Sequence, residues 1–264
     1  MKFVSAQQGQ RRGVEYYRDL ILTLLGAEFA VRYRNTVLGY AWSVLHPLTF
    51  TLVFLFAFKV VLKVRIENYT LFLVAGMFPW QAIQNSVCTS SGAFLGNSSL
   101  IKRVRFPRHF LVIVGVLNDL IHYVLSLPII GLMMWLYGVV PGVEMLWAVP
   151  LLLVIQFSIT LGLSLMVATG NMFFRDLERI VTILMMLLFY VTPILFKEEW
   201  IPPGLQWVNY ANPLGTLIIN WRNLFMGGGL SVLGLGASVA WAILLMGLGY
   251  GLYRGLSWRF GELV

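Results

Sequence analysis

The sequence of 264 residues predicts an all-α polytopic membrane protein with six transmembrane helices. Three observations predict it. Hydrophobic residues make up 59% of the chain, charged residues 11%, and mean hydropathy is +0.80. A soluble domain carries roughly 25% charge, so too few polar side chains exist here to cover a water-soluble globule. That argues against a cytosolic enzyme, and the hydropathy argues against disorder. Second, the charges cluster and leave uncharged gaps. Third, Lys and Arg alternate between dense and sparse groups across those gaps.

Charged side chains are costly in hydrocarbon, and a spanning helix takes about 20 residues. Ahead of the first gap, residues 13–29 read as an amphipathic helix, with Val14, Tyr17, Ile21, Leu24 and Leu25 on one face and Glu15, Arg18 and Asp19 off it. Such a helix lies in the membrane interface or packs on a partner protein. Together with the polar start it forms an N-terminal segment, residues 1–34. Spans are then expected over about 37–59, 69–90, 109–137, 145–171, 178–196 and 230–253. The first holds no charge up to Phe58, the third holds only Asp119, and the sixth is most apolar after Leu230. Residues 201–221 are also uncharged, but Pro202, Pro203, Pro213, Gln206, Asn209, Asn212 and Asn220 argue against a lipid-exposed helix. Two short helices or a re-entrant hairpin at the membrane surface fit better. Residues 256–264 are a short tail.

Six spans return both termini to one side. That side collects Lys2, Arg11, Arg12, Arg18, Arg32, Arg34, Lys102, Arg103, Arg105, Arg108, Arg175, Arg179, Arg254 and Arg259; the other has Lys59, Lys63, Arg65, Lys197 and Arg222. The positive-inside rule makes both termini cytoplasmic. The net charge of +8 therefore records orientation rather than nucleic-acid binding. The start is too polar for a cleavable signal peptide. The single Cys88 excludes an internal disulfide and any multi-cysteine metal site, and reads as a small packing residue.

No Gly is followed by Lys, so no Walker A phosphate cradle exists, and neither H-E-x-x-H nor G-x-S-x-G occurs. His46, His109 and His122 lie on different segments. No cofactor or metal is expected on this chain, and energy for uphill transport must come from a partner subunit or an ion gradient. Residues 97–107, NSSLIKRVRFP, read as a short helix capped by Asn97 or Ser98, with Leu100, Ile101 and Val104 on an apolar edge, Lys102, Arg103 and Arg105 on a basic one, and Phe106-Pro107 as its stop. It is either positive-inside charge alone or a docking helix for a cytosolic motor. Asp119 and His122 share one helix face, as a proton relay or beside a solvated vestibule. Gly247, Gly251 and Gly255 allow close helix approach within a protomer or between protomers.

These residues carry a resemblance. Residues 29–39 (FAVRYRNTVLG) followed by Trp42 and Pro47, residues 76–80 (GMFPW), 100–107 (LIKRVRFP) and 173–177 (FFRDL), Thr192-Pro193-Ile194 and Asn212-Pro213 occur in the order seen in type-2 ABC exporter permeases. The chain most resembles those that export O-antigen and related lipid-linked polysaccharides. The resemblance implies a type-2 ABC transmembrane domain over residues 35–255, in a homodimer with the conduit between two copies. Two copies of a separate cytosolic ATPase, which holds ATP and Mg, bind below. It makes residues 97–107 the coupling helix and residues 197–222 gate helices at the periplasmic mouth of the bacterial inner membrane. The substrate is a polymer on a polyprenyl pyrophosphate.

Sugars present C–H faces that slide past aromatic rings. Phe50, Phe54, Phe72, Phe78, Trp80, Phe189, Tyr190, Trp207 and Tyr210 are candidates for such a lining, although most membrane aromatics face lipid. Arg32 and Arg34 sit where guanidinium groups either hold the pyrophosphate or anchor to anionic lipid. Rival readings on these residues are teichoic-acid or small-molecule export by the same architecture, and an ion-coupled transporter using Asp119 and His122. A membrane-embedded transferase would need clustered carboxylates or histidines, which the sequence lacks.

Overall fold

The computed structural model describes residues 14–33, 41–104 and 106–260, with the side chains of residues 14, 31–33, 43 and 44 outside that description. The described residues form helices joined by turns and short loops, with no strand. The α-helices are α1 (Val14–Tyr33), α2 (Trp42–Leu55), α3 (Tyr69–Ser90), α4 (Ser98–Arg103), α5 (His109–Leu136), α6 (Met145–Asn171), α7 (Leu177–Val191), α8 (Trp207–Ala211), α9 (Pro213–Phe225) and α10 (Val232–Leu256). Residues His109–Leu136, Met145–Asn171 and Val232–Arg259 are each long and apolar enough to cross a membrane.

Contacts fix the directions of the long helices. His46 meets Gln81 and Phe58 meets Tyr69, so α2 and α3 are antiparallel. Ser86 meets Asp119, which reverses α5 against α3. α6 and α10 run side by side in the same direction: Gly229, just before α10, approaches Glu144, just before α6, and Tyr253 shares a core with Leu165 and Met172. One core fills the middle and the end far from α4. A second, around Phe94, Ile101, Val112, Ala168, Tyr253 and Phe260, lies beneath α4. α3 is the hub. Residues 71–81 are buried without interruption, as a helix packed on all sides requires.

Several expectations change. The span expected from 37 to 59 is α2 followed by a π-helix, Phe56–Val61, and residues 34–40 lie outside the described residues. α1 extends past residue 29 to Tyr33, and its apolar face lies on the chain's own α5: Tyr17 stacks on Phe110 at 5.4 Å, and Leu24 packs on the second core. The segment 178–196 is α-helical only to Val191, because Thr192 is extended and Pro193 follows. Gly247, Gly251 and Gly255 meet nothing within 4 Å. The close approach is made one face away. A Cβ on Gly162 would lie 2.4 Å from the Leu245 carbonyl carbon, and one on Gly249 would lie 2.2 Å from the Gly162 carbonyl oxygen.

Of the hairpin α8–α9, α8 is largely exposed while α9 packs into the bundle. Leu214, Leu217, Ile218 and Trp221 are fully buried among α3, α6 and α10. Some of the hairpin's breakers are satisfied by protein, while Asn209 Oδ1 and Asn220 Oδ1 are buried with no hydrogen-bond partner among the described residues. Pro213 needs no donor at the first helical position, Asn212 Oδ1 caps α9 by accepting from Leu214 N at 3.0 Å, and Asn212 Nδ2 donates to Thr192 Oγ1 at 2.8 Å. Arg222, expected among loop charges, is buried. Its guanidinium donates to the carbonyls of Pro193 (2.6 Å) and Phe196 (3.4 Å), pairs with Glu198, and lies 4.4 Å from the Phe72 ring centroid. Burial pushes this guanidinium below its usual pKa, and the Glu198 carboxylate pulls it back up.

Two outcomes follow from this packing. Gly162→Ala forces backbone apart and should cost about 1–3 kcal/mol, whereas Gly251→Ala, with open space around it, should stay within about 0.5 kcal/mol; thermal unfolding in detergent compares them. Arg222→Met leaves buried acceptors bare and should cost about 3–5 kcal/mol. Arg18→Met, in a pair exposed by 65% on both sides, should cost less than about 1 kcal/mol in the same denaturation series.

Candidate functional site

α2, α3 and α7 enclose a pocket of about 230 Å³. α2 contributes His46, Phe50 and Phe54, which recur every fourth residue and so share one helical face. α3 contributes Met77, Trp80, Gln81, Gln84 and Asn85; α7 contributes Met186, Phe189 and Tyr190. The rings support one another: Phe189 lies 5.5 Å from Phe54, 5.7 Å from Trp80 and 5.2 Å from Tyr190, all between centroids. The polar side is ordered too. Trp80 Nε1 donates to Gln84 Oε1 at 2.9 Å, and His46 Nδ1 lies 3.2 Å from Gln81 Oε1. The pocket wall thus combines aromatic rings with the amides of Gln81, Gln84 and Asn85, a lining that fits a ligand with both C–H faces and hydroxyls.

Of the nine aromatic candidates, Phe50, Phe54, Trp80, Phe189 and Tyr190 line this pocket. Phe72 and Phe78 are core residues instead, with Phe72 under Arg222. Trp207 and Tyr210 are exposed on α8, away from the pocket. Sequence reasoning missed His46, Gln81, Gln84 and Asn85. Their signal was present, since three amides within one turn or so of an otherwise apolar span are costly unless something pairs with them.

At the other end, α4 is shorter than residues 97–107. It stops at Arg103, and Val104 is extended, so Phe106-Pro107 is not what ends it. Asn97 holds the N-cap position, yet its side chain accepts nothing from α4; Asn97 Nδ2 donates back to Ala93 O at 3.0 Å. Ile101 is buried in the second core and Leu100 is half-buried, while Val104 is exposed with Lys102 and Arg103 rather than lying on the apolar edge. Phe106 and Pro107 are half-buried, and Arg105 lies outside the described residues. The following turn is tied to the end of α10: Arg108 Nη1 donates to Ser257 O at 3.1 Å and His109 N to Tyr253 Oη at 3.2 Å. Asn171 Nδ2 donates to Ser91 O at 2.9 Å and binds the ends of α3 and α6 together. α4 is therefore a short basic knob on a rigid base.

Arg34 and the Arg32 side chain lie outside the described residues. Asp119 and His122 are both buried. Ser86 Oγ donates to Asp119 Oδ2 at 2.9 Å, and the His122 ring meets Phe29 of α1 edge-on at 5.4 Å. Beside them a cleft of about 480 Å³ opens between α1, α3 and α5, edged by Glu28, Thr89, Ser90, Asn97 and Leu100. Among the described residues no three His, Cys, Asp or Glu side chains gather as a metal site would require.

Residues 19–226 match the ABC-2 type transporter family. The chain is 37% identical over 249 residues to the O-antigen export system permease protein RfbA of Klebsiella pneumoniae, covering 94% of this chain and 96% of that one. It is 32% identical over 219 residues to the protein of that name in Myxococcus xanthus, covering 81% and 83%. It is 22% identical over 249 residues to the polysialic acid transport protein KpsM of Escherichia coli, covering 92% and 96%. With the family match spanning most of the helical bundle, and relatives similar over nearly their whole length, this multi-pass membrane protein belongs to the ABC-2 type transporter family, as a permease close to those of O-antigen export.

Proposed function

We propose that this chain is the transmembrane subunit of an ATP-driven exporter that moves lipid-linked polysaccharide of the O-antigen type from cytoplasm to periplasm. The observation that carries this reading is the pocket between α2, α3 and α7, lined by both aromatic rings and amides. Aromatic contacts are worth roughly 1 kcal/mol each, enough to guide a sugar and too little to trap it. Hydroxyls then exchange bonds along His46, Gln81, Gln84 and Asn85 as the chain advances. The names of the relatives support the substrate class, because they speak of O-antigen and polysialic acid.

In this reading α2, α3, α5, α6, α7 and α10 are six spans in the inner membrane, with both termini cytoplasmic. Two copies form the conduit. Two copies of a separate ATPase, holding ATP and Mg, bind against α4 and α1, and the chain is not itself an enzyme. The pyrophosphate end is captured near Arg32 and Arg34 at the cytoplasmic leaflet. Closure of the motor pushes on Lys102, Arg103 and the residues up to Pro107, and the firm base of α4 in the second core passes that push to α3, α5 and α10. The polymer leaves past the α8–α9 hairpin, where Trp207 and Tyr210 are exposed.

Reversing Lys102, Arg103 and Arg105 together to Glu should abolish co-purification with the ATPase and stop export; retained binding and export would remove the docking assignment. Phe189→Ala combined with Gln81→Ala should leave ATPase binding intact while lowering polymer export roughly tenfold, the effect of about 1.4 kcal/mol lost on the translocation path. Unchanged export in reconstituted vesicles would move the conduit elsewhere.

A further inference from the structure

We infer that the pocket between α2, α3 and α7 selects sugar units that carry an acetamido group. The inference rests on the reading of that pocket as a sugar site and adds which sugar it holds best. Two tied amides carry it. Trp80 Nε1 can only donate, and it donates to Gln84 Oε1 at 2.9 Å. Gln81 Oε1 lies 3.2 Å from His46 Nδ1 and, as an oxygen, accepts from it. Both glutamine oxygens are therefore engaged by the protein, while neither NH2 group has a partner among the described residues.

Those NH2 groups reach open space. Gln81 is only 8% exposed, yet its Nε2 does not belong with the sealed, unpartnered polar atoms of the interior, such as Asn209 Oδ1 and Thr160 Oγ1. The same holds for Nε2 of half-buried Gln84. The open space that both side chains line is this pocket, of about 230 Å³. Three residues apart on α3, the two glutamines share one helical face. Both donors can therefore meet one oxygen, and a carbonyl oxygen has two lone pairs to receive them.

The rest of the lining narrows the ligand. Among the described residues no Lys, Arg, Asp or Glu stands in the pocket wall. A carboxylate or phosphate brought there would lose its water without gaining a counter-charge, so the acceptor that fits is neutral. With Nδ1 protonated, His46 Nε2 is the acceptor of the neutral ring and suits an N–H. Phe54, Trp80 and Phe189 supply faces for a methyl group. An acetamido substituent has these three parts together: a carbonyl oxygen, an N–H and a methyl. A plain hydroxyl offers a weaker acceptor and no methyl. The volume falls below the roughly 300–1,000 Å³ of pockets for drug-sized ligands, which suits a single sugar unit.

The test is titration of the full chain in lipid nanodiscs with N-acetylglucosamine, glucose and glucuronate, followed by saturation-transfer NMR. N-acetylglucosamine should bind roughly tenfold more tightly than glucose, a difference of about 1.4 kcal/mol, with the acetamido methyl as its most strongly saturated group. Gln84→Glu keeps an acceptor for Trp80 and removes the donor, so N-acetylglucosamine and glucose should bind it alike; Gln81→Glu is the second variant. A preference that survives both variants overturns the inference. So does equal binding of the two sugars by the parent, which leaves the pocket a sugar site without this selectivity. Tightest binding of glucuronate also overturns it and makes the pocket a carboxylate site. If no sugar binds, the reading of the pocket falls and the inference with it. Where neither variant assembles, the parent's preference and the methyl signal decide.

Discussion

Where α7 ends at Val191, the chain turns inside the packed bundle, and the carbonyls of Pro193, Leu195 and Phe196 have no further helical turn to pair with. Protein groups do the pairing. Arg222 donates to the first and third, and Tyr69 Oη donates to the second at 3.1 Å. A buried backbone group left unpaired costs about 1–3 kcal/mol, so Arg222 and Tyr69 stabilise the irregular segment, and Asn212 holds its Thr192 side chain. The guanidinium is in turn admissible because Glu198 and the face of Phe72 neutralise and cover it. The position of α7, and with it one wall of the aromatic pocket, rests on this set of bonds.

α3 divides into two halves with different tasks. From Tyr69 to Trp80 it is apolar and wrapped by neighbours; from Gln81 onward it carries Gln84, Asn85, Ser86, Thr89 and Ser90. Successive residues point in different directions around a helix, so these polar groups are shared out among three surfaces. Gln81, Gln84 and Asn85 face the pocket, Ser86 faces Asp119 and Gln156, and Thr89 and Ser90 face the cleft under α1. One helix thus joins the aromatic site to the end that carries α4, with Asn171 and Ser91 fixing its last turn.

Much of this was legible in the sequence, for reasons that particular residues show. Gaps between charges locate the long helices because the cost of a charge in lipid is large and local. The pairing of motifs was not legible. Gly76, Ile194 and Asn212 mark three separate stretches, yet a Cβ on Gly76 would lie 3.4 Å from Ile194 Cγ2 and Asn212 bonds to Thr192, so they form one joint. Likewise the repeat of Gly247, Gly251 and Gly255 was easy to see but meets nothing within its own chain, while the close approach inside the chain, Gly162 to Gly249, shares no period because it spans two helices. Spacing reads contacts within a helix. Buried Arg222 was mistaken for a loop charge for the same reason: its partners lie at least 24 residues away in sequence.

α7 is only 15 residues long, a rise of about 22 Å, against a hydrocarbon layer of about 30 Å. Read as one of the six proposed spans, it offers lipid a wall that is too low on this flank. Acyl chains there must shorten, or the surrounding leaflet must dip, at a cost of fractions of a kcal/mol per ångström of mismatch. In that reading bilayer thickness acts on the protein unevenly, pressing hardest beside the helix that carries Phe189, while α5 and α6, at 28 and 27 residues, fit thick and thin membranes alike by tilting.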